Sequence, residues 1–277
     1  MVETLRIGHS PDADDAFMFY GLVSGKVAIP GYAIEHVLAD IETLNRWALD
    51  GRLEVTAISA ATYPRVADRY RLFRTGASVG RGYGPRLLAR DPVDPHELRG
   101  RRIAVPGRYT TAYLLLRLFL ADFQPVWVPF DAIVSAVQRG DVDAGLVIHE
   151  SQITYARHGL HLVADLGAWW QATTGLPIPL GVNVVRRDLG DVLAQRIQRA
   201  LRESIRIAYT ELNAAIRYAQ QFGRGMDTDT CIRFVRMYVN ADTRDLGAEG
   251  LRALEELYRQ SHAHGYIPTV PVLDPVT

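Results

Sequence analysis

Apolar positions along the first 185 residues of this chain alternate between strand spacing and helical spacing. Short apolar runs predict β-strands at 4–9, 32–38, 54–59, 70–75, 85–89, 102–105, 126–129, 143–148, 161–165 and 180–185. Helical spacing predicts helices between them, at 13–24, 41–50, 60–67, 111–122, 130–139 and 149–156. This alternation predicts an α/β protein with mixed, mostly parallel sheets and helices on both faces.

One pattern occurs twice in the chain. In residues 41–59 and again in residues 130–148, an amphipathic helix ends at a glycine, and a polar, an apolar and an acidic residue lead into an apolar strand. Gly51 ends the first of these helices and Gly140 ends the second. A strand, a turn and a helix precede each copy. Two βαβαβ halves predict two lobes that face each other, with a ligand cleft at the carboxyl ends of their strands.

Two extended segments, 84–90 and 175–181, are the predicted crossings between the lobes. Both contain proline, which fixes φ and donates no hydrogen bond, so neither is expected to be a central strand. The predicted small lobe is residues 90–180. The predicted large lobe combines residues 1–89 with residues 181–277.

The last third of the chain is predicted to be almost entirely helical. Asp188 is the expected N-cap of a long amphipathic helix, which Gly223-Arg224-Gly225 would break. Two further helices are expected near 228–238 and 247–263.

Charge and cysteine content narrow the classes of partner. Lys+Arg and Asp+Glu are both 31, so no net field favours nucleic acid or an anionic membrane. The single cysteine, Cys231, excludes an intrachain disulfide and is expected in the core. Glu3 and Arg6 interrupt the apolar stretch that a signal peptide needs, so we expect a cytoplasmic protein. The oligomeric state stays open, with a homodimer among the options.

Two loops that join a strand to a helix are candidate ligand sites, because helix N-termini favour anions. In the first loop, Ser10 would face the cleft, and Asp12 is the expected N-cap. The neighbouring Asp14 and Asp15 would complement the helix dipole, so we expect no metal ion there. In the equivalent loop of the other half, one hydroxyl of Thr110 and Thr111 would cap the helix. The second would be free for a carboxylate.

The ends of the two repeated strands also border the predicted cleft. Ser59 follows Ala57 and Ile58 at the first end and would either bind a ligand or cap the next helix. His149 follows the second strand directly, where an imidazole would accept a proton, and a hydrogen-bonded structural histidine is the alternative. Glu150 would either orient His149 or start the next helix.

Two other positions carry candidate roles. Trp169, beside Trp170 near the second crossing, would either wall a flat aromatic ligand or anchor the core. His9, which ends the first strand, is the only rival of His149 for the role of a base in the cleft.

Several long stretches, in order, resemble the 1,4-dihydroxy-6-naphthoate synthase family of the futalosine route to menaquinone. They run from residue 9 to about residue 181 and read HSPDADDAFMFYGLVSGKV, DIETLNRWALDGRLEVTAIS, GRGYGPRLLAR, VPGRYTTAYLLL, GLVIHES and DLGAWWQATTGLPIPLG. The helical last third is matched more loosely. This resemblance implies a two-lobed fold like that of type II periplasmic binding proteins, used as an enzyme.

The resemblance also implies a reaction and a site. The implied substrate is cyclic dehypoxanthinyl futalosine, a carboxylated bicyclic compound with a sugar remnant. Carbon–carbon cleavage would release 1,4-dihydroxy-6-naphthoate and a three-carbon fragment, without a cofactor. The family's proton acceptor maps onto His149, and its substrate contacts map onto residues 57–59 and 110–111. Some relatives have Lys where this chain has Ala57, which leaves a backbone or packing contact at that position.

Two other functions remain as alternatives. Chorismate dehydratase is a sibling enzyme of the same pathway and fold that acts on a smaller acid. A small-molecule-binding protein without catalysis would have the same two lobes. The AWW and TGLPIPLG stretches and the motif around His149 favour the synthase.

Overall fold

Two mixed β-sheets carry the fold in the computed structural model, which describes residues 3–277. The first sheet contains β1 (Glu3–His9), β2 (Tyr32–Leu38), β3 (Val55–Ser59), β4 (Tyr70–Leu72), β5 (Ser78–Gly80) and, from later in the chain, β11 (Ile178–Arg186). The second sheet contains β6 (Arg86–Ala89), β7 (Arg102–Val105), β8 (Gln124–Trp127), β9 (Ala144–Val147) and β10 (His161–Asp165).

Both sheets have the same strand order, which confirms the repeat. The first runs β2-β1-β3-β11-β4, with β5 also paired to β11, and the second runs β8-β7-β9-β6-β10. In each sheet the first three strands are parallel, and the strand that crosses from the other lobe runs antiparallel to its neighbours. Five of the nine strand pairings in the described residues are antiparallel, so the expectation of mostly parallel sheets is wrong.

The proline-containing crossings are interior strands, contrary to the prediction. β11 pairs with β3 on one side and with β4 and β5 on the other, while β6 lies between β9 and β10. Pro85 precedes β6, and Pro179 lies where the pairing with the short strand β5 shifts register, so neither missing N–H disrupts a ladder. β6, predicted at the end of the large lobe, belongs to the second sheet.

Helices cover both sheets and form most of the last third of the chain. They are α1 (Ala13–Val23), α2 (Ile41–Leu49), α3 (Thr111–Phe119), α4 (Ile133–Arg139), α5 (Ser151–Thr154), α6 (Leu166–Thr174), α7 (Gly190–Thr210), α8 (Leu212–Gln220), α9 (Thr228–Tyr238), α10 (Ala241–Arg244) and α11 (Gly247–Ala263). No helix within residues 3–277 combines the length and the apolar character that crossing a membrane requires.

Several helices differ from the predictions. The segment at 60–67 is a 3₁₀ helix over 60–65, and α6 was not predicted. Asp188 does not cap the long helix, because α7 begins at Gly190 and Asp188 instead pairs with Arg186 at 2.8 Å.

The helix-ending glycines position the two repeated strands. Gly51 after α2 and Gly140 after α4 have φ angles of 69° and 80°, in the left-handed region that glycine adopts without a steric penalty. Each turn delivers the next strand to the middle of its sheet, β3 beside β1 and β9 beside β7. The ends of β3 and β9 therefore occupy equivalent places in the two halves.

An apolar core joins the two sheets. Ile58 and Val184 of the first sheet share it with Leu87 and Val105 of the second, and all four side chains are fully buried. Burial of one such side chain contributes about 1.5–3 kcal/mol, so this core opposes separation of the sheets. Cys231 lies in a second core between α1 and the later helices, as expected, and burial followed by the charge of Asp14 raises the pKa of its thiol to about 11.

Candidate active site

A cleft opens between the two sheets, where the carboxyl ends of β1 and β3 face those of β7 and β9. The space it encloses, its open mouth included, is about 720 Å³. Seven predicted site residues line it, namely Ser10, Ala57, Ile58, Ser59, Thr110, Thr111 and His149. The two-sided arrangement deduced from the repeat therefore brings these residues together.

The eighth predicted residue, Trp169, does not line the cleft. It lies on α6 with its ring centroid 5.4 Å from that of Phe119. Trp170 is fully buried, and its indole N–H donates to the carbonyl of Pro177 at 3.2 Å. The paired tryptophans therefore anchor the core, and the expectation of an aromatic wall at Trp169 is wrong.

His149 lies within hydrogen-bond distance of an acid of the other lobe. Its Nδ1 lies 3.1 Å from Oδ2 of Asp12, while its buried Nε2 has no hydrogen-bond partner in the described part of the chain. In the neutral imidazole, the contact with Asp12 favours the tautomer with its proton on Nδ1, which leaves a lone pair on Nε2. A histidine held in this way is arranged to accept a proton from a guest in the cleft.

The backbone of His149 adopts an unusual conformation that its neighbours support. Its φ is 56°, in the left-handed region that few residues other than glycine adopt. In the amide orientation that satisfies both of its ends, the buried Gln152 accepts from the His149 N–H at 3.1 Å and donates to the hydroxyl of Tyr238. The ring of Phe130 contacts the imidazole edge to face at 4.8 Å. Strained residues that persist in this way cluster at functional sites.

Three buried acids stand at the start of α1. As predicted, Asp12 caps the helix, accepting from the Asp15 N–H at 3.3 Å, and Asp15 accepts from the Ser10 N–H at 2.7 Å. Burial opposes the charge on Asp12, but His149 and hydrogen bonds from its neighbours outweigh burial and lower the pKa of Asp12. Burial raises the pKa of Asp14 well above its usual value, and the charges of Asp12 and Asp15 raise it further.

These acids do more than complement the helix dipole. Asp14 and Asp15 are each 7 % exposed and line the cleft, and Oδ1 of Asp14 has no hydrogen-bond partner among residues 3–277. Burial, followed by the charge of Asp12, also raises the pKa of Asp15 well above its usual value. The site therefore combines a charged acid, Asp12, with a neighbouring acid, Asp14, whose protonated form is favoured.

Asp12, Asp14 and His149 are also the residues that could hold a metal ion. One oxygen or nitrogen atom from each lies within 4.8 Å of the others, a spacing that suits a divalent cation. The contact between Asp12 and Nδ1 of His149 also serves as a hydrogen bond, so the arrangement does not require a metal.

Glu150 does not orient His149, which was one expectation. Its carboxylate pairs with Arg224 at 3.0 Å. Arg224 also donates to the carbonyl of Pro11 at 2.9 Å and covers the ring of Phe130. Asp12 therefore takes the orienting role, and Glu150 connects the second sheet to the loop before α1.

Ser59 keeps a free donor in the cleft. Its side chain caps no helix, so the capping alternative is excluded. Asn45 of α2 donates to Ser59 Oγ at 3.0 Å and accepts from the Ser59 N–H at 2.8 Å. Because the hydroxyl oxygen already accepts from Asn45, its proton is available to a guest. Ala57 and Ile58 add apolar wall beside it.

Both threonine hydroxyls are already hydrogen-bonded within the protein, whereas the prediction left one of them free to bind a carboxylate. Thr110 caps α3 by accepting from the Tyr113 N–H and donates to the carbonyl of Gly107. Thr111 accepts from the Ala61 N–H at 3.1 Å and donates to the carbonyl of Leu180 at 2.7 Å. The first N–H groups of α3, at Thr111 and Ala112, have no partner within a helix, and both residues line the cleft.

His9, the rival base, belongs to the core. It is 1 % exposed, stacks on Phe19 with 4.3 Å between ring centroids, and its Nε2 lies 3.1 Å from Nδ1 of His36. Burial, followed by the charge of His36, lowers the pKa of His9 to about 3. A histidine in this environment is a poor base for a guest in the cleft.

Sequence reasoning missed several polar residues of the site, among them Asn45, Gln152, Asn183 and Tyr238. Asn183 had a detectable signal, because one amide stands in the apolar run of β11. Asn45, Gln152 and Tyr238 follow ordinary helical patterns, so only their tertiary contacts reveal them.

Two lobes around a shared cleft define the class of periplasmic-binding-protein-like folds. The alkanesulfonate-binding protein SsuA of Xanthomonas axonopodis has this fold, with a TM-score of 0.75 at 15 % identity, over 98 % of this chain and 96 % of that one. Protein AF1704 of Archaeoglobus fulgidus is far more similar, with a TM-score of 0.92 at 50 % identity over 95 % of this chain and 98 % of that one.

The family follows from the sequence comparisons. The profile described as "Menaquinone biosynthesis" matches residues 5–263, so this chain belongs to the menaquinone biosynthesis family. A Thermus thermophilus protein named 1,4-dihydroxy-6-naphthoate synthase is 46 % identical over 270 residues, which are 98 % of each chain. The resemblance and the fold that it implied are therefore confirmed.

Proposed function

We propose that this protein is a 1,4-dihydroxy-6-naphthoate synthase, a carbon–carbon lyase of menaquinone biosynthesis that acts in the cytoplasm. Its substrate is cyclic dehypoxanthinyl futalosine, a carboxylated small molecule. The observation that carries the proposal is the pair formed by Asp12 and His149, which leaves Nε2 unpaired inside a cleft lined by both lobes. The high identity to the Thermus synthase supports this reading.

His149 is the general base in this proposal. Nε2 removes a proton from a substrate hydroxyl or acidic carbon, while Asp12 holds the ring and stabilises the imidazolium that forms. When a hydroxyl is the group deprotonated, its oxygen becomes a carbonyl as the neighbouring carbon–carbon bond breaks. The electron pair of that bond stays on the naphthalene part.

The electron pair left on the naphthalene part needs a proton, and Asp14 is placed to supply one. Its Oδ1 lines the cleft without a hydrogen-bond partner in residues 3–277, and its surroundings favour the protonated form. The pKa values of the neighbouring acids Asp12 and Asp14 are shifted in opposite directions, an arrangement that is common in acid–base catalysis. The roles of Asp14 as acid and His149 as base divide the two proton transfers between the lobes.

The substrate carboxylate lies at the start of α3 in this arrangement. The free N–H groups of Thr111 and Ala112 and the positive end of the helix dipole suit an anion. The threonine side chains shape this place through the contacts that fix the loop. With the carboxylate there, the rest of the molecule extends toward Ser59 and His149, which line the same cleft.

Replacing the base tests the proposal. We expect His149→Asn to lower kcat by about 10²–10⁴-fold, with substrate still bound. Naphthoate formation is followed by absorbance, and chorismate is offered in parallel as the substrate of the sibling dehydratase. His158→Asn, at an exposed histidine, is the matched control and should keep the wild-type rate. A wild-type rate in His149→Asn, or turnover of chorismate alone, would contradict the proposal.

A further inference from the structure

Asn183 presents an unused acceptor to the cleft. It lies in the middle of β11, is 1 % exposed and lines the cavity. Its Nδ2 donates to the carbonyl of Gly76 at 2.8 Å, whereas its buried Oδ1 has no partner in residues 3–277. The hydrogen bond to Gly76 fixes which end of the amide is unsatisfied. An unpaired buried acceptor is costly, unless a ligand supplies the missing donor.

The surroundings of Asn183 are built to hold this amide. Gly76 has a φ of 88°, and a Cβ there would lie 2.6 Å from Nδ2 of Asn183, so only glycine leaves room for it. The Gly76 N–H donates to the carbonyl of Thr243 at 2.7 Å, which ties the turn to the C-terminal helices. The acceptor is therefore rigid before any ligand arrives.

A matching donor lies on the neighbouring strand. Asn183 pairs with Ala57 across β11 and β3, and Ser59 pairs with Gly181 two residues along the same ladder. Residues opposite each other in an antiparallel pair share a face, so Asn183, Ala57 and Ser59 face the cleft together. Ser59 offers a proton because Asn45 already donates to its oxygen. One wall thus offers one acceptor and one donor.

This pattern suits alcohol hydroxyls and does not suit a carboxylate. An amide oxygen repels an anion, whereas a hydroxyl donates to an acceptor and accepts from a donor. We propose that Asn183 Oδ1 binds an alcohol hydroxyl on the sugar-derived part of the substrate, an inference that rests on the proposed function. The wall formed by Ser59 and Asn183 then takes the hydroxylated end, and the start of α3 takes the carboxylated end.

Two ligands distinguish a contact between Asn183 and the sugar-derived hydroxyl from a general effect of Asn183 on ligand binding. The cyclic substrate has the hydroxylated part, and 2-naphthoate keeps the aromatic carboxylate without it. Binding is measured by calorimetry in the His149→Asn background, which is expected to bind without turnover. There Asn183→Leu should raise the Kd of the substrate about 10- to 100-fold, since it removes the acceptor, and change that of 2-naphthoate less than about twofold.

The controls make either outcome decisive. Asn213→Leu makes the same change at an exposed position of α8, outside the cleft, and should leave both Kd values within about twofold of the parent. Thermal melting checks each variant, and Asn183→Ala replaces Asn183→Leu in the same titrations if the latter does not fold. An unchanged Kd for the substrate, or an equal rise for both ligands, would overturn the role of Asn183.

The two proposals fail separately. Turnover by His149→Asn reports on the base and therefore on the proposed function. The ratio of the two Kd values reports on Asn183, whether or not the protein converts the ligand. A protein that bound the substrate selectively through Asn183 without cleaving it would overturn the proposed function alone.

Discussion

The loop from β1 to α1 and the loop from β7 to α3 occupy equivalent places in the two halves. They differ in whether their polar side chains are hydrogen-bonded within the protein. In the first loop, Ser10 Oγ and Asp14 Oδ1 are buried without hydrogen-bond partners inside residues 3–277. In the second loop, the hydroxyls of Thr110 and Thr111 each donate to and accept from the protein. The first loop therefore has polar groups left to bond a guest in the cleft, whereas the protein itself satisfies the hydroxyls of the second loop.

The difference shows that two copies of the same backbone arrangement can serve different roles, one in catalysis and the other in stability. Both loops start a helix at the carboxyl end of a strand, so both direct backbone N–H groups toward a guest. The first adds buried acids, one of which holds the base that follows β9. The second adds hydroxyls that link the α3 loop to Ala61 and Leu180. Substitutions in the first loop should therefore change the rate, and those in the second should change stability.

The largest effect is expected at Asp12. In Asp12→Asn, an amide next to Nδ1 favours the imidazole tautomer with its proton on Nε2, which removes the base. We expect kcat to fall by about 10²–10⁴-fold while KM changes only a few-fold. Steady-state kinetics provide the measurement. Asp227→Asn, at an exposed N-cap of α9, is the matched control, and an equal loss of kcat in both variants would erase the proposed contrast between the loops.

A smaller effect is expected at the threonines. Thr111→Val leaves the Ala61 N–H and the Leu180 carbonyl without that hydroxyl, which should lower the free energy of unfolding by about 1–3 kcal/mol. Thr110→Val removes the cap of α3 and should cost about 1 kcal/mol. Chemical denaturation gives the unfolding free energies.

The kinetics of the threonine variants sharpen the comparison. With the carboxylate on backbone N–H groups, kcat should fall less than about tenfold in either variant. Thr173→Val, at an exposed position of α6, controls for the loss of a hydroxyl. A large loss of kcat with unchanged stability would mean that the hydroxyls themselves bind the substrate.

The last effect concerns stability alone and depends on pH, at His9, which ends β1 just before the first loop. Its pKa is about 3 in the folded protein and 6.5 ordinarily, so the unfolded chain binds the extra proton as the pH falls below 6.5. Its contribution to stability is therefore present above pH 6.5 and is lost toward pH 3. Between pH 7 and pH 5 the loss is about 2 kcal/mol.

The pH dependence of unfolding with and without this histidine checks that sign. In His9→Gln, the difference in unfolding free energy between pH 7 and pH 5 should shrink by about 2 kcal/mol. His158→Gln, at an exposed position, should behave as the wild type. A variant with the full pH dependence of the wild type would show that His9 does not titrate in this way.

Elements with a strong periodic pattern were predicted well. The repeat, Asp12 as a cap, Cys231 in the core and His149 at the end of a strand beside the cleft all follow from local spacing. The errors concern partners that are distant in sequence. Pro179 was expected to exclude its segment from the interior of a sheet because proline has no N–H to donate. Pro179 instead pairs with the short strand β5 at a register shift, where the missing N–H does not disrupt the ladder. Trp169 was expected at the cleft because its ring could contact a flat aromatic ligand, but the ring packs against Phe119 instead.

Periodicity and turn residues act over a few positions, so the amino-acid pattern alone predicts two equivalent halves and a histidine at the end of one repeated strand. The acid that orients this histidine could be identified only from the folded chain. Asp12 lies 137 residues before His149, whereas the adjacent Glu150 pairs with Arg224. Hydrogen bonds and desolvation depend on distances in space, so the raised pKa of Asp14 and the oxygen of Asn183 that has no partner within residues 3–277 arise only in the folded chain.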